Sequence, residues 1–267
     1  MSVTASVRRM AAATYGTALR TVYGGVGFPW QVHDEVVRID PDARHLVPHE
    51  SEPELFRHLR STIRPGDVVL DVGAFAGIYA VLEARWAGEA GRVVAFEPTP
   101  SSAALARRHF EWNRDVTRRI ELVEAAVSDR PGQAILHEYD VHGLPYANSL
   151  AKAADTDRPA HTRPVPVVTI DDACRQRRLV PSVIRMDVQG AEMHALLGAR
   201  ETIRSARHLS IVVEMHPQCW PEFGVTEADV RRAIEDLGLT ARPLAPGEAL
   251  FGRDTHAVLI SNGGAQA

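Results

Sequence analysis

The chain has 267 residues, 45% of them hydrophobic, enough to bury one large core or two small ones. A formal net charge of −4 excludes a general electrostatic attraction for nucleic acid or an anionic membrane, and Lys152 is the sole lysine among many arginines. Two cysteines, Cys174 and Cys219, lie outside any C-x-x-C pair, which excludes a disulfide framework and points to a reducing, cytoplasmic setting.

Val3, Val7, Met10, Ala11, Leu19 and Val22 follow helical spacing across residues 1–23, with no apolar run long enough to span a membrane. They predict a helix that packs on the domain or on a second copy of the chain, which would make a homo-oligomer. Gly24–Pro29 breaks regular structure, and Trp30–Ile39 reads as a strand pair or extended arm. Glu52–Thr62 reads as a helix, with Ser51 as its cap and Pro53 in the first turn. Residues 1–62 thus form an N-terminal extension and residues 63–267 the main domain.

From Pro65-Gly66 onward strands and helices alternate: strand 67–72, helix 77–87, strand 92–97, helix 100–113, strand 120–127, helix 170–178, strand 182–187, helix 190–204, strand 208–215 and helix 226–237. Leu239–Leu244 and His256–Ile260 close the sheet as a terminal pair, one strand of it antiparallel. The pattern predicts an α/β fold, a mostly parallel doubly wound sheet whose ligands lie at the carboxyl ends of its strands. Gln133–Val168 interrupts the rhythm with short apolar runs, prolines and histidines, and reads as an insertion over that edge, a lid for the acceptor. His137, Tyr139, His142, Tyr146 and Asn148 stand in it, none of them singled out as catalytic.

Val68–Gly77 joins an apolar strand to a glycine turn that opens a helix. Gly73 and Gly77 let the backbone approach a ligand, with Ala74 and Phe75 between them, and the helix start offers free N–H groups. One βα unit later, Glu97-Pro98 ends a strand with a carboxylate suited to both hydroxyls of a ribose. A dinucleotide site wants three glycines and no acid at the phosphates, whereas this turn has two glycines and carries Asp71 just upstream. Asp71 suits a cationic cofactor such as S-adenosylmethionine, which carries an amino group and a sulfonium.

Asp71–Gly77, Phe96-Glu97-Pro98, Ala125-Ala126-Val127-Ser128-Asp129, Thr169-Ile170-Asp171, Arg185–Glu192 and Glu214 occur in the order seen in the FkbM-type methyltransferases, whose signature they resemble. The likeness runs from about Pro65 to Ile260. Phe75-Ala76 stands where that family often shows Asn-Ile, and Gln189 where Glu is commoner. The resemblance implies a Rossmann-like class I methyltransferase fold using S-adenosylmethionine, with Ala125 and Ala126 at the cofactor, and often O-methylation in natural-product or sugar pathways.

Methyl transfer to oxygen needs alignment, exclusion of water and a group that takes the proton. Asp187 ends its strand at the cofactor edge, and no (Asp/Asn)-Pro-Pro-aromatic turn of amino-methyltransferases follows it. Glu214 and His216, two apart on the next strand, point to one side. Asp187, Glu214 and His216 could hold Mg²⁺ or Mn²⁺ that acidifies an acceptor hydroxyl, or His216 or Asp187 could serve as the base without metal. Capping of the next helix by Asp187 and a plain strand exit at His216 remain the structural alternatives.

The sequence therefore predicts a cytoplasmic S-adenosylmethionine-dependent O-methyltransferase of a sugar or other hydroxylated small molecule. A nicotinamide-dependent oxidoreductase and a non-catalytic cofactor-binding or partner-docking module are the rivals.

Overall fold

The computed structural model describes residues 16–50, 52–139, 148–151, 161–253 and 255–261, with the side chain of residue 261 left aside. Helix α1 covers 16–23; the apolar positions expected before it, Val3, Val7, Met10 and Ala11, lie outside the described residues. Leu19 is buried while Val22 faces solvent. A hairpin follows, β1 (Phe28–Val32) against β2 (Glu35–Ile39), as the alternating apolar residues of the arm suggested. Helix α2 (Pro53–Thr62) buries Leu55, Phe56 and Leu59. The expected cap, Ser51, lies outside the described residues, and the N-cap is Glu52, at φ 48° and with no side-chain capping bond.

The central unit runs β3 (Val68–Val72), α3 (Ile78–Trp86), β4 (Arg92–Phe96), α4 (Pro100–Trp112) and β5 (Ile120–Val123). The single strand expected over 120–127 is in fact two: β5, and β6 (Ala126–Val127), which leaves the main sheet. β6 runs beside β8 (His161–Val168), itself antiparallel to β7 (Gly132–Glu138), in a separate three-stranded sheet. The stretch read as an irregular insertion thus carries two full strands that turn Leu136, Val165 and Val167 inward. Pro164 and Pro166 hid β8 from the sequence reading. β6 pairs only with Val167 and Val168, so both prolines lie where β8 has one open edge and need no ladder donor there.

Helix α5 (Ile170–Arg177) is capped by Thr169, whose side chain accepts from Asp172 N. β9 (Val183–Met186) leads to α6 (Glu192–Leu197) and α7 (Arg200–Ser205), where one helix over 190–204 was expected; the break is at Gly198, packed against the Ser128 carbonyl. β10 (Ser210–Met215), α8 (Glu227–Asp236), β11 (Leu239–Pro243) and β12 (Thr255–Ser261) complete the chain.

The main sheet has the order β11-β12-β10-β9-β3-β4-β5, parallel from β10 to β5, with β12 antiparallel to both its neighbours. Alternate residues feed opposite faces. Val69, Val93 and Val183 pack with α2, α3 and α4, whereas Leu70, Val94 and Ile184 pack with α5 to α8. The chain proceeds outward from β3 through β4 to β5 and then resumes on the other side of β3 with β9. That reversal opens a crevice beyond the carboxyl ends of β3 and β9, where such sheets bind ligands. Among the described residues no helix is long and apolar enough to cross a membrane.

Candidate active site

A cleft, open to solvent at its mouth, lies at that reversal. Its floor comes from the strand tips: Gly73, Ala74 and Phe75 after β3, Glu97 to Thr99 after β4, Ala125 and Ala126 before and in β6, and Asp187 to Gln189 after β9. Its walls come from elsewhere. The N-terminal extension supplies Val32, Leu46, Val47, Pro48 and Glu52, and the small sheet with residues 148–150 supplies Leu136, Asn148, Ser149 and Leu150. No motif in these segments announces a part in the cleft, which depends on their tertiary placement. Of the insertion, His142 and Tyr146 lie outside the described residues, and Tyr139 is buried.

The turn after β3 is held open by its backbone. Gly73 has φ +86°, and a Cβ there would stand 1.8 Å from the Asp187 carbonyl oxygen, so only glycine lets the tips of β3 and β9 approach this closely. Gly77 caps α3 with φ +73° and packs on Phe110; it does not line the cleft, contrary to the expectation of a cofactor contact. Phe75 and Gln189, each the third residue past its strand, both take left-handed backbone at φ 49°. Such strain in two cleft-lining residues belongs to sites that need a fixed geometry.

Glu97 ties the turn to the tip of β4. Its Oε2 accepts from Phe75 N at 2.8 Å and its Oε1 from Thr99 N at 2.7 Å. Each oxygen keeps lone pairs for a further donor. Burial pushes its pKa up to about 7, against the pull of those backbone amides.

Asp71 does not line the cleft. It is fully buried beneath Gly73, and its Oδ1 accepts from Arg185 Nη1 at 3.0 Å, so the direct cofactor contact expected of it is taken by an internal ion pair. Arg185 also reaches the Gly73 carbonyl and Asp187 Oδ2, and its guanidinium lies 4.7 Å from the Tyr79 ring centroid. Burial raises the Asp71 carboxyl, whereas Asp187 is held below the ordinary carboxylate range because Arg185 and His216 outweigh its desolvation. Asp187 therefore presents an ionised carboxylate to the cleft.

Asp187, Glu214 and His216 come together as the strand registers implied, with His216 Nε2 3.8 Å from Asp187 Oδ1 and 3.6 Å from Glu214 Oε1. His216, however, does not line the cleft. It is sealed in, its Nδ1 2.8 Å from Glu192 Oε1, and Glu192 also accepts from Gly190 N and Trp220 Nε1. Gln189 Nε2 stands 2.9 Å from both Asp187 Oδ1 and His216 Nε2, between the histidine and the cleft edge. Its burial thus leaves His216 out of reach of a ligand in the cleft, against the expectation of a direct base role. Burial lowers its pKa, but the carboxylates around it prevail and lift it to about 9; burial and Asp187 lift Glu214 to about 8.

No sequence pattern announces the grip of Glu192 on His216. Nor does one announce Glu52 and His256, which meet Glu214 from the other side: His256 Nε2 is 3.0 Å from Glu52 Oε1 and 3.8 Å from Glu214 Oε2. Glu214 and His256 face each other across β10 and β12, a pairing no local motif announces.

The geometry agrees with what the chain is similar to. The family described as "Methyltransferase FkbM domain" matches residues 71–239. A curated relative, "2-O-methyltransferase NoeI" of Sinorhizobium fredii (strain NBRC 101917 / NGR234), is 30% identical over 160 residues, 55% of this chain and 63% of that protein, so the likeness spans under two thirds of the relative. Among solved structures, an O-methyltransferase from Bacillus cereus in complex with SAH aligns at TM-score 0.50 and 14% identity, covering 83% of this chain and 86% of that one. The FkbM methyltransferase of Methylobacillus flagellatus KT aligns at TM-score 0.49 and 15% identity over 76% of this chain and 50% of that one. The Bacillus likeness bears on the fold alone, while the family match spans more than half of the sequence and sets aside the nicotinamide oxidoreductase: the chain belongs to the FkbM methyltransferase family.

Proposed function

We propose that this protein is an S-adenosylmethionine-dependent O-methyltransferase acting on a sugar or other hydroxylated small molecule in natural-product biosynthesis. The observation that carries the reading is the division of one cleft between two carboxylates of opposite character. Glu97 lies on the β4 side with lone pairs for a diol, and ionised Asp187 lies on the β9 side.

The donor set fits the cofactor. Ala74, Phe75, Ala125 and Ala126 offer an apolar shelf for an adenine, and Glu97 two acceptors for ribose hydroxyls, which leaves Asp187 for the acceptor. When bound, S-adenosylmethionine supplies an electrophilic methyl group on a sulfonium. The chain supplies the rest. Val32, Val47, Leu136 and Leu150 exclude water, and Asn148 and Ser149 offer polar contacts to an acceptor. Asp187, held by donors from Arg185 and Gln189, would accept the hydrogen bond of an acceptor hydroxyl and take up the proton that hydroxyl gives up. The 2-O-methyltransferase activity in the name of the Sinorhizobium relative supports oxygen as the acceptor atom.

The test is incubation of the full chain with methyl-labelled S-adenosylmethionine and a panel of oligosaccharides, phenols and amines, with mass-spectrometric location of the label. A methyl ether on a sugar hydroxyl is expected. Label on nitrogen alone, or on no acceptor, would overturn the reading.

A further inference from the structure

Among the described residues, two groups of side chains able to ligate a metal share Glu214 at the carboxyl edge of the sheet: Asp187–Glu214–His216 and Glu52–Glu214–His256. Their surroundings differ. In the first, the Gln189 amide nitrogen lies 2.9 Å from both Asp187 Oδ1 and His216 Nε2, and so occupies the ground on which an ion held by those two atoms would rest.

The second group is built differently. His256 Nε2 is shut off from solvent and meets the alignment of no hydrogen bond, although Glu52 Oε1 is only 3.0 Å away and Glu214 Oε2 3.8 Å. One ligand atom from each of Glu52, Glu214 and His256 lies within 4.8 Å of the others, close enough to share one ion. Their spacing agrees: ligands about 2.0–2.3 Å from a cation stand roughly 3–4 Å apart along the edges of its coordination shell. The three side chains are brought in by different elements. Glu214 and His256 are register partners on β10 and β12, and Glu52 comes from the head of α2, where its carboxylate makes no capping bond. Two carboxylates balance the charge of one divalent ion, and the mixed oxygen and imidazole donors suit Mn²⁺ or Zn²⁺ better than an all-oxygen ion such as Ca²⁺.

We propose that Glu52, Glu214 and His256 form a binding site for one divalent cation of the Mn²⁺ or Zn²⁺ kind. Glu52 lines the cleft, so the open coordination positions of the ion face the space assigned to the acceptor; that last step rests on the methyl-transfer reading, whereas the site itself does not.

Calorimetric titration of Mn²⁺ into the full chain, without cofactor or acceptor, tests it. One ion per chain is expected, with affinity lowered at least ~10-fold in Glu52→Gln and in His256→Asn and kept within about twofold in Asp187→Asn. Circular dichroism and thermal midpoints certify each variant as folded, and either ligand variant suffices if the other fails to fold. Failure of the wild-type chain to bind Mn²⁺ or Zn²⁺ at millimolar concentration would overturn the proposal. So would affinity that falls in Asp187→Asn but stays unchanged in a folded His256→Asn. Since no methyl transfer is read, neither result bears on the proposed reaction.

Discussion

Arg185 and Asp71 sit opposite each other on β9 and β3 and join their side chains at 3.0 Å inside the sheet, both shielded from solvent. The pair lies directly beneath the cleft, where Arg185 also reaches Gly73 and Asp187. Asp71→Asn should therefore act on stability before it acts on ligands, since it leaves a buried guanidinium short of charge compensation. A loss of about 3–5 kcal/mol in urea unfolding is expected. An unchanged unfolding midpoint with weakened cofactor binding would return Asp71 to the role its sequence position suggested.

His109 is a core histidine with both nitrogens engaged: Nδ1 lies 2.8 Å from the Ala76 carbonyl, and Nε2 accepts from Asp40 N at 2.8 Å. It joins the end of β2 to the glycine turn as a neutral ring, and burial drives its pKa down to about 4. The unfolded chain takes up a proton here near pH 6.5 while the folded chain does not until about 4. Stability from this residue is thus complete above pH 6.5 and is lost as pH falls toward 4, by about 3 kcal/mol. Ring NMR should show His109 unprotonated at pH 5.5; an ordinary titration near 6.5 would contradict this.

Gly73→Ala should cost about 3–5 kcal/mol or prevent folding, because the added methyl meets the Asp187 carbonyl, a backbone atom with no freedom to swing away. Gly66, at φ +93° with nothing within 4 Å of a Cβ, is the control, and its alanine should cost only the ~1–2 kcal/mol of left-handed backbone. Equal losses at the two positions would mean that close contact between β3 and β9 is unimportant.

Asp187→Asn keeps the shape and removes the charge at the cleft edge. With an acceptor in hand, kcat should fall ~10²–10⁴-fold, as loss of a placed base does, while KM for the acceptor changes far less. A matching rise in KM with kcat intact would make Asp187 a binding group only.

The strands that alternate with helices, the glycine turn and the carboxylates at the tips were legible because they are local: short, near-continuous apolar runs, punctuated by Gly and Pro, say where each strand stops. What stayed hidden depends on pairing between distant segments. The move of β6 out of the main sheet rests on its contact with β8, forty residues on in the chain, and β8 itself was masked by prolines harmless only because of where β6 ends. The burial of His216 could not be read from a strand-tip pattern, since Glu192 closes on it from the helix two elements earlier and Trp220, bonded to Glu192, from the turn after it. Asp71 looked like a ligand contact because nothing in the sequence announced that Arg185 faces it across the sheet.

The central claim is that the cleft between Glu97 and Asp187 holds S-adenosylmethionine with its ribose on Glu97. Calorimetric titration of S-adenosylhomocysteine into the wild-type chain and Glu97→Gln, between pH 5.5 and 8.5, tests it most directly. Wild-type affinity should rise with pH through about 7, as the buried Glu97 carboxyl ionises and gains its full capacity to accept two hydroxyl donors. Glu97→Gln should bind about 2–4 kcal/mol more weakly at pH 8 and lose that rise. A folded Glu97→Gln with wild-type affinity and the same pH profile would remove Glu97 from the site and contradict the account.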